Sequence, residues 1–231
     1  TAQVAHNAGL RACIGMIVFD FPTAYAQTPE EYLEKGLALH DTWRNNELIT
    51  TAFAPHAPYT VSDGPLDRFC TLNNELNRPV HMHVHETVHE VEQAVSQHKL
   101  RPLARLKKLD LLGPQLAAVH MTQLLPEEIK SLAEYGVHVL HCPESNMKLA
   151  SGFCPVHALL QAGVNVALGT DGAASNNDLD MLGEIRSAAL LAKAVANEAT
   201  AVPAATALRM ATLNGARALG LDERIGSLTA G

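Results

Sequence analysis

A parallel α/β fold closed as a (β/α)8 barrel is the architecture the sequence predicts, on three observations. Short apolar runs rich in β-branched residues alternate with amphipathic helical segments along the whole chain. No GxGxxG or GxxxxGKS/T follows any of those runs, which leaves the nucleotide-binding form of a doubly wound sheet, the competing architecture, without support. Each run hands over to a titratable residue at its carboxyl end, as a barrel's working face requires, because its chemistry is assembled from the ends of several strands.

In chain order the runs are RACIGMIVF (11–19), LITTAFA (48–54), RPVHMHV (78–84), QLAAVH (115–120), GVHVLH (136–141) and GVNVALGT (163–170). The residues that follow or end them are Asp20, His56, His83 with His85 and Glu86, His120, His141 and Asp171. Between them lie punctuated helices. Pro126 opens PEEIKSLAEYG with two acids in its first turn and Gly136 just past its end, which suits the helix dipole and the C-terminal cap. PVHALLQAG repeats that layout with Pro155 and Gly163, and DLDMLGEIRSAALLAKAVA (178–196) reads as a long amphipathic helix behind polar capping residues.

The chain has 231 residues, a length that α/β barrels commonly reach as one domain, and 47% hydrophobic residues, enough for a substantial core. A net charge of −7 argues against a general nucleic-acid binder or an anionic-membrane binder. No apolar run reaches the ~20 residues of a membrane-spanning helix. Cys13, Cys70, Cys142 and Cys154 show neither CxxC spacing nor a dense framework, so reduced thiols and a cytoplasmic location are expected. The opening TAQVAHNAGL reads as the middle of a helix, and SLTAG carries no sign of a domain end, so the chain is expected to be a piece of a longer protein.

Twelve histidines are the unusual total, and three of them crowd into HMHVHET (81–87). Strict alternation would put His81, His83 and His85 on one side of a strand, where a core would be harmed by unpartnered imidazoles at a cost of about 1–3 kcal/mol each. The segment is therefore a metal or catalytic site, or a solvent-facing edge. One histidine at a strand end is more often structural than a ligand; a series at successive strand ends, joined by an acid, reverses that weighting. Zinc takes neutral imidazole nitrogens and carboxylate oxygens, with a position left open in catalytic sites. Asp171 lies in GTDGAASN (169–176), where glycines let the backbone turn sharply, and reads as either a ligand or proton carrier or as a helix cap. Glu86 can reach the pocket as a proton carrier, or it can be the first acid of the helix ETVHEVEQAV. Serine-triad chemistry has no GxSxG behind it, Ser145 in HCPESN has no support as a nucleophile, and the HxE…PCxxC zinc pattern is absent.

HVHET (83–87), AVHMTQL (118–124), HCPESNMKLASG (141–152) and LGTDGAASNND (168–178) together resemble the amidohydrolase superfamily. Within it they are similar to the deaminases of 5-methylthioadenosine and S-adenosylhomocysteine. The likeness extends over DFPTAYAQTPEEY (20–32) and FAPHAPYTVSD (53–63) and so over essentially the whole chain.

The resemblance implies a residue-by-residue assignment. His83 and Asp171 would bind the metal from the ends of the fifth and eighth barrel strands. His120, ending the sixth strand, would contact the attacking water and the departing group. Glu86 would protonate a ring nitrogen, and His56 would help hold the purine. The catalytic set is thus Glu86, His120 and Asp171; the substrate set is His56 and Glu86; the metal set is His83 and Asp171. Two-metal relatives carry a lysine at the end of the fourth strand where this chain has APHAPY, so one divalent ion is expected, zinc first and Fe2+ as the alternative.

The family's HxH pair belongs to its first strand. The chain would then cover about strands three to eight, with strands one and two, the HxH ligands and a flanking small β domain outside residues 1–231. His81 would be an inward-facing residue deeper in the barrel and His85 a pocket-wall residue, neither of them a ligand. An open six-stranded piece would expose strand edges, so by itself it is expected to be inactive and to bind zinc weakly. The implied reaction is metal-dependent hydrolytic deamination of an adenosine analogue with release of ammonia. Guanine, pterin or chlorotriazine substrates, a non-catalytic metal-binding barrel and an inactive truncated relic are the alternatives. A small-molecule nucleoside is the expected partner, neither nucleic acid nor a membrane is expected, and a homo-oligomer is compatible with the sequence.

Overall fold

The computed structural model describes residues 1–229. Six strands form one all-parallel sheet: β1 (Ala12–Val18), β2 (Ile49–Pro55), β3 (Val80–Val84), β4 (Leu116–His120), β5 (His138–His141) and β6 (Val166–Leu168). Their spatial order is their chain order, with β1 and β6 at the edges. The helices are α1 (Ala2–Asn7), α2 (Pro29–Trp43), α3 (Asp63–Leu76), α4 (Val88–His98), α5 (Pro102–Lys108), α6 (Pro126–Tyr135), α7 (Pro143–Lys148), α8 (Val156–Gln161), α9 (Met181–Ala196), α10 (Ala204–Ala211) and α11 (Leu213–Ala218). Parallel neighbours joined through helices, in unbroken sequential order, are the (β/α) barrel arrangement, and all six predicted strands are present.

The two faces of the sheet differ in residue size. Met16, Val18, Phe53, Met82, Val84, Leu116, Ala118, Val139 and Val166 point into the helix layer and belong to one continuous buried core. Fully burying side chains of this size stabilises by about 1.5–3 kcal/mol each. On the other face Cys13, Gly15, Ala52, Ala54, His81 and Ala117 line a cavity of about 230 Å³. Space there is short near the β1–β2 contact, since a Cβ on Gly15 would sit 2.9 Å from that of Ala54.

Local chemistry sets the element ends. Thr28 caps α2 by accepting from the Glu31 amide, with Pro29 at its first turn, and Thr87 caps α4 by accepting from the Glu90 amide. Gly136, in the left-handed region at φ 68°, closes α6 and delays β5 to His138, two residues later than the apolar run suggests. The last run shortens to Val166–Leu168 because Gly163 (φ 85°) finishes the turn after α8 and Asp171 (φ 63°) already leaves the strand path. The long helix after Asn177 and Asp178 starts at Met181, with Asp180 accepting from the Leu182 amide. Among the described residues no helix is long and apolar enough to cross a membrane, and all four cysteines are free thiols.

Candidate metal centre

All the candidate residues lie at the carboxyl ends of the strands, but they arrive by different local routes. His83 follows strand alternation on β3: its neighbours Met82 and Val84 enter the helix layer, so its ring faces the other way. Its Nδ1–H donates to the His56 carbonyl at 2.8 Å, which fixes the tautomer and leaves Nε2 with its lone pair free. His120 ends β4, where Ala118 faces the helices and alternation would send residue 120 the same way. Instead His120 and Met121 take φ values of 75° and 52°, and the ring turns to stack on His83 with centroids 5.5 Å apart. Left-handed backbone at non-glycine residues costs on the order of 1–3 kcal/mol each and is characteristic of functional sites. The His120 Nδ1–H donates to Asn146 Oδ1 at 2.8 Å, so here too Nε2 is the free nitrogen.

Asp171 is the third member and also has positive φ. Ser145 and Ser175 each donate a hydroxyl to its Oδ2, at 2.7 and 2.6 Å, and the Gly172 amide donates to Oδ1 at 2.8 Å. Burial alone would raise this carboxyl's pKa; the hydrogen bonds from Ser175, Ser145 and Gly172 outweigh it and hold the group below its ordinary value. Ligand atoms of His83, His120 and Asp171 all lie within 4.8 Å of one another. Two imidazoles that each leave Nε2 unengaged and one carboxylate, each fastened by a further hydrogen bond, match the donor set and the support that zinc sites use.

Glu86 lies one residue ahead of the Thr87 cap, outside α4, so it is not the first acid of that helix. Its Oε2 is 3.8 Å from His120 Nε2, and its Oε1 accepts from Ser151 Oγ at 3.1 Å. His56 flanks the cluster with its ring 4.9 Å from that of His83 and 4.8 Å from that of Phe19. Burial, and then the neighbouring His83, lowers the His56 pKa to about 4, so the ring is neutral near pH 7. The structure therefore brings together His56, His83, Glu86, His120 and Asp171.

Two histidines of HMHVHET lie elsewhere. His81 lines the cavity on the inner face, nearer the amino end of β3. His85 was expected at the pocket wall, and the structure corrects this. The strand ends at Val84, His85 turns to φ 55°, and its ring enters the helix layer, where Nε2 accepts from the Leu103 amide at 3.1 Å. Its ring lies near Arg101 and 3.7 Å from Glu128, in a buried polar network. His141 is 1% exposed with no hydrogen-bond partner at Nδ1, and burial lowers its pKa to about 3. It is a neutral buried residue rather than part of the cluster.

Sequence reasoning missed the supporting side chains. Asn146 and Ser151 lie inside the quoted HCPESNMKLASG segment, and Ser145 was weighed only as a nucleophile. Their signal was polarity: in the structure all three are at most 6% exposed and each bonds a different site residue.

A parallel barrel-type sheet with a histidine–carboxylate cluster at its carboxyl ends defines the class of metal-centred α/β barrels. The chain belongs to the amidohydrolase family, whose pattern matches residues 1–231. It is 54% identical over 230 residues to a protein of Teredinibacter turnerae and 52% identical to one of Saccharophagus degradans, each named 5-methylthioadenosine/S-adenosylhomocysteine deaminase. Both matches cover 100% of this chain and 52% of the relative, so the chain spans about half the length of these curated relatives. Among solved structures it is similar to an adenosine deaminase from Xanthomonas campestris with bound zinc, at 59% identity and a TM-score of 0.98, over 100% of this chain and 52% of that one. A triazine hydrolase variant, 23% identical, superposes with a TM-score of 0.92 over 99% of this chain and 53% of that chain, a likeness of fold alone.

Proposed function

We propose that the chain is part of a metal-dependent aminohydrolase that deaminates the adenine ring of 5-methylthioadenosine, S-adenosylhomocysteine or a related adenosine analogue. The observation that carries this reading is the convergence of His83, His120 and Asp171 within 4.8 Å, with Glu86 next to His120. The names of relatives at 52–54% identity and of the solved adenosine deaminase support the substrate class. The triazine hydrolase likeness is of fold and does not favour a triazine.

In this reading His83, through Nε2, and Asp171, through a carboxylate oxygen, hold one divalent ion, zinc first. Further imidazole ligands come from a segment beyond these 231 residues, which the half-length match to relatives supports. When bound, the ion acts as a Lewis acid that makes water nucleophilic near neutral pH.

The chain's own residues handle the protons. Asp171 accepts the proton of the attacking water and passes it to the departing amine. Glu86 delivers a proton from Oε2 to the adjacent ring nitrogen, so the ring can accept the incoming electron pair. His120 Nε2, held by Asn146 behind it, faces the tetrahedral centre. His56, kept neutral, packs against the purine. The new bond joins water oxygen to the amino-bearing carbon, and the carbon–nitrogen bond breaks as the amine takes the proton from Asp171. The proton left on the new oxygen returns to Glu86 as the carbonyl forms, and the inosine analogue and ammonia leave.

Ammonia release by the full-length protein tests this, with 5-methylthioadenosine, S-adenosylhomocysteine, adenosine and guanine supplied with and without a chelator. Chelator-sensitive release from the adenine nucleosides supports the proposal. Release from guanine alone, or from none of them, contradicts it.

A further inference from the structure

Ser151 occupies a place that no general need of the fold explains. It is 6% exposed and lies beyond the end of α7, on a loop whose backbone is fixed at both ends of the residue. Its amide donates to the Asn146 carbonyl at 2.9 Å, and its carbonyl accepts from Gln123 Nε2 at 2.9 Å. The next residue, Gly152, has φ 132° and passes so close to Thr122 that a Cβ would lie 2.8 Å from Oγ1. The loop is thus held against the segment after β4, and the one free group Ser151 has left, its hydroxyl, points at Glu86 Oε1.

Glu86 is restrained from other sides too. Glu90 Oε2 accepts its amide at 2.6 Å, and Thr122 Oγ1 donates to its carbonyl at 2.7 Å. Those contacts fix the backbone but leave the side-chain torsions free. Among the described residues, the Ser151 hydroxyl is the side-chain donor on the carboxyl group itself. A hydroxyl donor at Oε1 makes that oxygen an acceptor and turns Oε2 toward His120, 3.8 Å away.

We propose that Ser151 is a positioning residue for Glu86: its hydroxyl selects the carboxyl rotamer and assigns Oε2 as the oxygen that exchanges a proton with substrate. The proposal rests on the deaminase reading above and adds how the two oxygens of Glu86 are made inequivalent. Asn146, on α7, performs the matching task for His120, so α7 and the loop after it order both partners of the Glu86–His120 pair.

The experiment is a double-mutant cycle in the full-length protein, with kcat and KM read separately for 5-methylthioadenosine. Ser151→Ala is expected to lower kcat about 10- to 100-fold, the usual range for a lost supporting contact, with KM unchanged. In the Glu86→Gln background the same substitution is expected to cost nothing further. Parental kcat in Ser151→Ala, or an equal loss in both backgrounds, overturns the proposal. Failure of the deaminase reading is separately visible as full turnover in Glu86→Gln alone. Should Ser151→Ala not accumulate as folded protein, Ser151→Cys carries the same test, with a thiol of similar size and far weaker hydrogen bonding.

Discussion

His83 and His120 stack with their rings 23° from parallel, although only one of them points where its strand would send it. His83 is placed by alternation and His120 by left-handed backbone at the end of β4. With Asp171 also at positive φ, the cluster combines one regular strand position with two in left-handed backbone.

His83→Ala in the full-length protein is expected to lose stoichiometric metal, whereas His81→Ala, which only widens the inner cavity, retains it. Metal analysis after dialysis reads the difference directly. Equal metal content in the two variants would remove His83 from the donor set.

Ser145 and Ser175 each donate to Asp171 Oδ2, and so hold the carboxylate ionised and oriented. Ser145→Ala with Ser175→Ala is expected to weaken zinc binding about 10- to 100-fold, as measured by competition with a chromophoric chelator. Unchanged affinity would show that Asp171 needs no such support.

Gly152→Ala places a Cβ against Gln123 and Thr122 in a backbone region that L residues rarely adopt. The expected cost is about 1–3 kcal/mol of stability, visible as a lowered midpoint in denaturant unfolding. A parental midpoint would mean that the loop after α7 yields easily and cannot order Glu86.

Stability should also depend on pH through Glu184, which is 0% exposed on α9. Burial first, and then the nearby charges of Glu144 and Asp178, raise its pKa from 4.5 to about 7, against hydrogen bonds from the Glu144 amide and Asn176. The folded state then holds a proton that the unfolded chain has already lost between those two values. Its stabilising contribution is present below pH 4.5 and declines as pH rises through about 7. Unfolding free energies across that interval are expected to fall with pH, and Glu184→Gln is expected to flatten the slope. A slope unaffected by the substitution would place the titration elsewhere.

Much of this was legible in the sequence because it rests on periodicity. Six apolar runs gave six strands, and the alternation of strand and helix gave a parallel sheet. His83 could be placed from its neighbours Met82 and Val84 alone. His85 could not, because one residue at positive φ takes it out of the pattern, and nothing in VHET announces that turn. His120 was located by its strand end and by family likeness, not by alternation, which would have sent it into the helices. Asn146 and Ser151 stayed hidden because their importance depends on contacts 26 and 65 residues away in sequence.

The central claim is that one cation sits among His83, His120 and Asp171, and anomalous diffraction at the zinc edge tests it most directly. Crystals of the full-length protein grown with zinc are predicted to show a single strong peak within bonding distance of His83 Nε2 and an Asp171 carboxylate oxygen. A peak bound elsewhere, with these two side chains unligated, would contradict the account.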